Sequence, residues 1–169
     1  FKYQYPNKTT TGSWSTTGSL NQTRQGIGQF GTESSALAFG GETPGAGDFN
    51  NTELYNGSSW TEVNNLTGAR AFLVGTGTST AGLGFGGEPN SALTETWNGT
   101  NWTEVNDLNT ARFHLGGAGA SNTSALAFGG FTSPPDVYYP NTELWNGSAW
   151  TEVNDLNTAR FALGSSGIA

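Results

Sequence analysis

Trp102-Thr103-Glu104-Val105-Asn106-Asp107-Leu108-Asn109-Thr110-Ala111-Arg112-Phe113 recurs without a difference from Trp150 to Phe161. A close variant runs from Trp60 to Arg70, and a worn one from Trp14 to Arg24. The tryptophans Trp14, Trp60, Trp102 and Trp150 are spaced by 46, 42 and 48 residues, and an arginine follows each by ten. A period of about 40–50 residues defines a repeat architecture, and each unit is one supersecondary element that cannot bury its apolar face alone.

Outward from that segment, every unit reads alike. After the Arg comes a run of small and apolar residues: Ala71 to Thr78, Phe113 to Ala120, Phe161 to Ala169. A second run ends in a di-glycine: Ala36 to Gly41, Ala81 to Gly87, Ala125 to Gly130. A variable stretch follows, and then Thr-Glu-(Leu/Thr)-(Tyr/Trp)-Asn-Gly at Thr52 to Gly57, Thr94 to Gly99 and Thr142 to Gly147. The Trp segment closes the unit. Short runs punctuated by turn residues predict four β-strands per unit. No segment carries a sustained helical stripe. The Asn-Gly pairs predict two-residue hairpins with positive φ at both central residues. These place Tyr55 beside Trp60, Trp97 beside Trp102 and Trp145 beside Trp150 as cross-strand aromatic pairs. The units span 25–66, 71–108 and 113–156, with a partial unit from 1–20 and 161–169.

Four strands in each period of this length predict an all-β propeller of four-stranded antiparallel blades. With Gly40-Gly41, Gly86-Gly87 and Gly129-Gly130, the aromatic pairs and Arg24, Arg70, Arg112 and Arg160 in place, the whole chain resembles the kelch repeat family. The likeness of the units to one another is similar to that of recently amplified kelch-like arrays in bacterial and phage surface proteins. The resemblance implies a single kelch-like domain, residues 1–169, or a piece of a larger one. Three full blades and a split partial one are counted. A chain without Met that begins at Phe1 is expected to be part of something longer.

Composition narrows function. The 169 residues carry a net charge of −7, and four of the six Lys and Arg are the repeat arginines. No basic patch is left over for phosphates, so a nucleic-acid partner is not expected. No apolar run approaches the about 20 residues of a membrane-spanning helix, so membrane insertion is not expected. With no Cys and one His, thiol nucleophiles and cysteine zinc sites are excluded, and no metal or other cofactor is expected. His114 alone makes no triad, and Glu53, Glu95 and Glu143 are locked into the repeat and select no catalytic pair. The arginines, which recur with Glu62, Glu104 and Glu152, are read as joining adjacent blades through ion pairs or backbone hydrogen bonds, with an aromatic ring to stack on. Trp14, Trp60, Trp102 and Trp150 are likewise structural.

Function is therefore sought where the units differ, between the second and third strands: Glu42 to Asn51, Glu88 to Ala92 and Phe131 to Asn141. Candidate binding residues there are Asp48, Phe49, Phe131, Asp136, Tyr138 and Tyr139. The expectation is a non-catalytic structural and interaction module of an extracellular or virion surface, such as a phage tail or fibre, that binds a protein partner or self-assembles. The alternative is a carbohydrate-binding propeller with one glycan site per blade.

Overall fold

The computed structural model describes residues 18–164. In chain order the first unit supplies β1 (Gly28–Thr32), β2 (Ser35–Phe39), a short hairpin β3 (Glu42–Thr43) and β4 (Gly47–Asp48), then β5 (Thr52–Tyr55) and β6 (Trp60–Val63). The second supplies β7 (Val74–Thr78), β8 (Ala81–Phe85), β9 (Thr94–Trp97) and β10 (Trp102–Glu104). The third supplies β11 (Gly116–Ser121), β12 (Ser124–Phe128), the hairpin β13 (Phe131–Thr132) and β14 (Val137–Tyr138), β15 (Thr142–Trp145) and β16 (Trp150–Glu152). Each unit folds as a four-stranded antiparallel sheet with its strands in chain order, β1-β2-β5-β6, β7-β8-β9-β10 and β11-β12-β15-β16. No helix is present among the described residues. Residues 1–17 of the expected partial unit, Trp14 among them, and the end of the Phe161–Ala169 run lie outside the described residues.

The sheets stack face to face, and the core lies between them. Phe30, Leu37, Phe39, Leu66, Leu73, Trp97 and Trp102 fill the first interface. Val74, Leu83, Phe85, Leu108, Leu115, Trp145 and Trp150 are prominent in the second. A strand covered on both faces has no polar side to present, which explains sequences such as Ala81-Gly82-Leu83-Gly84-Phe85. The first strands β1, β7 and β11 lie side by side. Glycine permits that approach: a Cβ on Gly75 would stand 2.7 Å from the Gln29 carbonyl oxygen and 2.6 Å from the Phe39 ring. Just before these strands a backbone chain joins the sheets. Phe72 N–H donates to Gly26 O, His114 N–H to Phe72 O, and Ala162 N–H to His114 O. All four residues have φ between 51° and 63°.

Between sheets the contacts repeat as faithfully as the sequence. The indole N–H of Trp102 donates to Thr52 Oγ1 on the preceding sheet, and that of Trp150 to Thr94 Oγ1, both at 3.0 Å. Trp102 also lies 4.7 Å from Phe39, and Trp150 4.9 Å from Phe85, between ring centroids. The arginine is the second link. The N–H of Gly41 holds the Arg70 carbonyl, and that of Gly87 holds the Arg112 carbonyl. The guanidiniums then reach forward to the next sheet, Arg70 to Glu95 at 2.8 Å and Arg112 to Glu143 at 2.9 Å, all four side chains buried. Arg24 binds Glu53 the same way.

This corrects the expected pairing. The partners are Glu53, Glu95 and Glu143 on third strands, whereas Glu62, Glu104 and Glu152 on fourth strands are exposed. The two glutamates of each register pair, Glu53↔Glu62, Glu95↔Glu104 and Glu143↔Glu152, share a face of the sheet, but the third strand lies inside the sheet and the fourth at its edge, so only the third-strand glutamate is buried. Arg160 departs from its siblings. It is exposed, with no carboxylate partner among the described residues.

The aromatic pairs fall in register as the sequence predicts: Tyr55↔Trp60, Trp97↔Trp102 and Trp145↔Trp150. The turns between them do not take the expected two-residue form. Each is a four-residue loop with positive φ at its glycine alone, Gly57, Gly99 or Gly147. The asparagine acts through its side chain: Asn98 Oδ1 accepts from the N–H groups of Thr100 and Asn101 at 3.0 and 2.9 Å. Short Asx turns of this kind compete well with a backbone turn.

Two outcomes test this picture by urea unfolding. Glu95→Gln leaves a buried guanidinium uncompensated and is expected to cost about 3–5 kcal/mol, whereas Arg70→Met with Glu95→Leu together cost less than either single change. Asn98→Ala removes acceptors from two turn N–H groups and is expected to cost about 1 kcal/mol; an unchanged midpoint rejects the Asx turn.

Candidate functional site

The residues that differ between units gather on one end of the sheets, around the loops that precede the first strands. The stretch after each di-glycine pairs back onto the residue that follows the preceding Arg: Gln25 with Glu42, Ala71 with Glu88, Phe113 with Phe131. The second and third stretches are also tied to one another. Asn90 Nδ2 donates to Ser133 O, and Ser133 N–H donates to Asn90 Oδ1, both at 3.0 Å.

The sequence offered these stretches as variable loops. Two of them form hairpins, Glu42–Thr43 with Gly47–Asp48 and Phe131–Thr132 with Val137–Tyr138. The candidate residues accordingly divide. Phe131 packs on Phe113 at 4.3 Å between centroids and stacks with Tyr138 at 5.7 Å. Tyr138 is 48 % exposed, and Asp136 lies exposed in the turn of the same hairpin. Tyr139 is half-buried; its N–H donates to Gly130 O. Phe49 serves the scaffold in a comparable way, its N–H donating to Gly41 O and its carbonyl accepting from Arg70 N–H. Asp48 stands across from Glu42 in the first hairpin. The structure thus unites Phe131, Tyr138 and Asp136 in one hairpin and keeps Asp48 in another, with Phe49 just after it.

Each group has members the sequence reading left out. Phe161, 45 % exposed, lies 4.9 Å from Phe131 and 5.3 Å from Tyr138. His114 packs on Phe72 at 4.1 Å in a tilted contact and stacks on Phe131 at 5.7 Å between centroids. Phe113 and Phe161 share one position in the repeat, and that shared place is the signal by which Phe161 was legible. The outcome is an aromatic surface of Phe131, Tyr138 and Phe161 with His114 behind it. Burial among these rings lowers the His114 pKa from its ordinary value, which favours the neutral ring.

The other end of the row is acidic. Burial, and then the charge of Glu42, raises the Asp48 carboxyl above its usual range. Burial, and then Asp48 and Glu42, raises that of Glu88. No group of three His, Asp or Glu among the described residues is arranged to hold a metal ion. The three buried glutamates are committed to arginines, whose own pKa values burial lowers against the opposing pull of those carboxylates.

An open hollow of about 800 Å³ runs along β1, β7 and β11, walled by backbone and small side chains, and it reaches Tyr55 and Trp60 on the outer face of the first sheet. The repeat tryptophans Trp102 and Trp150 are buried between sheets. No protein-family model matches the chain, and no curated protein matches it.

The acidic end makes a prediction with a definite sign. A carboxyl whose folded pKa is raised binds its proton more tightly when folded, so stability falls as pH rises from about 4 through the raised value. His114, shifted down, acts in the opposite direction below its ordinary value. Asp48→Asn is therefore expected to raise the melting temperature at pH 7 and to flatten the decline above pH 4 relative to the parent. A lower melting temperature at pH 7 overturns the assignment.

Proposed function

We propose that the chain is an arc of a kelch-like β-propeller. We further propose that it acts as a non-catalytic interaction module of a surface or virion assembly, such as a phage tail or fibre or a bacterial exterior protein. It binds a protein partner through the connections between second and third strands. The antiparallel order of each sheet, the di-glycine that closes each second strand and the first strands lying side by side support the propeller reading.

One observation carries the functional part. Polar residues fixed by the repeat are used inside the protein, Glu53, Glu95 and Glu143 by arginines and Thr52 and Thr94 by tryptophans. What varies is displayed together at one end, with Tyr138 and Val137 exposed beside Asp136 and next to the exposed repeat residue Phe161. Exposed aromatics with a polar rim suit a protein contact. Burial of Trp102 and Trp150 removes the ring platforms that a glycan site in every blade requires and leaves Trp60 alone among the described repeat indoles partly open, so carbohydrate binding through a repeated site is the weaker reading.

Replacement of Phe131–Pro140 by the short second-unit stretch Glu88–Ala92 separates scaffold from function. The expected result is a melting temperature within a few degrees of the parent, together with loss of cross-linking to a neighbouring surface protein. A glycan array hit with one sugar bound per unit, retained after the exchange, overturns the proposal.

A further inference from the structure

The three outer turns carry more than a reversal of the chain. Asn56-Gly57, Asn98-Gly99 and Asn146-Gly147 are the only Asn-Gly pairs in the sequence. All lie exposed at the tip between the third and fourth strands of a sheet. In each, the asparagine Oδ1 accepts two backbone N–H groups at 2.9 to 3.0 Å, from Ser58 and Ser59, Thr100 and Asn101, or Ser148 and Ala149. The remaining polar groups of the pair are unengaged. The N–H groups of Gly57, Gly99 and Gly147, and the Nδ2 groups of the three asparagines, donate to no described residue.

Each feature bears on one step of an intramolecular reaction. The Asx turn folds the asparagine side chain back over the glycine peptide, beside a main-chain nitrogen that no side chain shields. Its two N–H donors point at the oxygen on which charge develops when Cγ becomes tetrahedral, as in an oxyanion hole. The unengaged Nδ2 is the leaving group. Other asparagines lack this set. Asn106 precedes Asp107 and donates to Ser148 O, and Asn109 precedes Thr110 and donates to Glu143 and Trp150 O. Asn122 precedes Thr123 and donates to Thr96 Oγ1.

We propose that Asn56, Asn98 and Asn146 are sites of self-modification, at which the nitrogen of the following glycine closes a succinimide and water opens it to aspartate or isoaspartate. At Asn98 the bond from Gly99 N to Cγ forms and the bond from Cγ to Nδ2 breaks. Nδ2 leaves as ammonia, with the proton that Gly99 N gives up through solvent. Water then adds to one imide carbonyl, its hydroxyl stays on that carbon, and its proton returns to the glycine nitrogen as the carbon–nitrogen bond breaks. Opening at Cγ gives aspartate; opening at the main-chain carbonyl gives isoaspartate. The first product keeps an oxygen over the Thr100 and Asn101 N–H groups. The second adds a carbon to the main chain between Trp97 and Trp102, which stand in register across this hairpin. Trp102 holds the preceding sheet through Thr52, so modification of an outer turn reaches the joint between sheets. None of this depends on what the loops bind, so this proposal and the proposed function fail separately.

The test is incubation of the intact folded chain near neutral pH, then denaturation, cleavage after the repeat arginines, and mass spectrometry with isoaspartate detection. Cleavage gives fragments 25–70, 71–112 and 113–160, each with one Asn-Gly pair. Conversion is expected to be at least about tenfold greater at Asn56, Asn98 and Asn146 than at Asn106, Asn109 and Asn122. It is also expected to run at least as fast in the folded chain as in concentrated urea. Gly99→Ala is expected to suppress conversion at Asn98 and leave Asn56 and Asn146 reactive; if that variant fails to fold, the ranking of sites within the parent decides. Conversion spread evenly over the asparagines, or about tenfold slower in the folded chain than in urea, overturns the proposal. Aged protein rich in isoaspartate is expected to melt below fresh protein, and an unchanged melting temperature refutes the reach to the joint.

Discussion

Everything in this protein depends on how one sheet is fastened to the next, and the fastener is an arginine anchored at two places. Its carbonyl is held by the second glycine of its own sheet, while its guanidinium enters the following sheet and meets a buried carboxylate. Buried ion pairs are costly to desolvate and strongly destabilising when broken. The pair therefore contributes register more than net stability: a shift of either sheet leaves a charge unpaired. Fixing both ends of the Arg in space fixes the path from the preceding Trp. That accounts for a Trp-to-Arg spacing of ten that does not vary while other parts of the unit do.

The aromatic side of the joint supplies the apolar burial that the ion pair does not. Trp102 and Trp150 bring large rings over Phe39 and Phe85, and their one polar atom is satisfied by the hydroxyl of Thr52 or Thr94. The same threonines donate their backbone N–H to Asn65 and Asp107 in the loops. Threonine, Asn or Asp, and Trp thus form one connected polar set inside an apolar interface, with every member determined by the others. Glycine in β1, β7 and β11 is the other half of the bargain, since small residues at the centre leave room for large ones further out. Such interlocking explains why the repeat units diverge so little from one another between Trp150 and Phe161 and between Trp102 and Phe113.

How much of this the sequence disclosed follows from the same interlocking. The four principal strands of each unit, their antiparallel arrangement and the aromatic cross-strand pairs were legible because each is set within a unit. The carboxylate that meets each Arg was not. The partners lie 29, 25 and 31 residues beyond Arg24, Arg70 and Arg112, and the interval changes with the length of the stretch between second and third strands. Spacing that varies hides a contact that does not. The hairpins β3–β4 and β13–β14 escaped notice for a related reason: two residues in each strand are too few for an alternating pattern. At the turns, Asn-Gly was a correct sign of a reversal but not of its type, because the asparagine side chain replaces the backbone geometry that the dipeptide favours.

Burying three arginines also decides the character of the surface. Each internal pair removes one charge of either sign, so the net charge of −7 is carried by the ten carboxylates that remain against Arg160 and the two lysines. The exposed end is then polarised. Burial, and then the charge of Glu42, raises the proton affinity of Asp48 at one side, and burial with the charges of Asp48 and Glu42 raises that of Glu88, while Phe131, Tyr138 and Phe161 pack together at the other. Under the proposed function these two regions would hold a partner by different physics. A contact made through the acids weakens as salt rises, within a Debye length of about 8–10 Å at moderate ionic strength. A contact made through the rings is insensitive to salt or strengthened by it. The salt dependence of association therefore reports which half of the row a partner occupies, before any residue is changed.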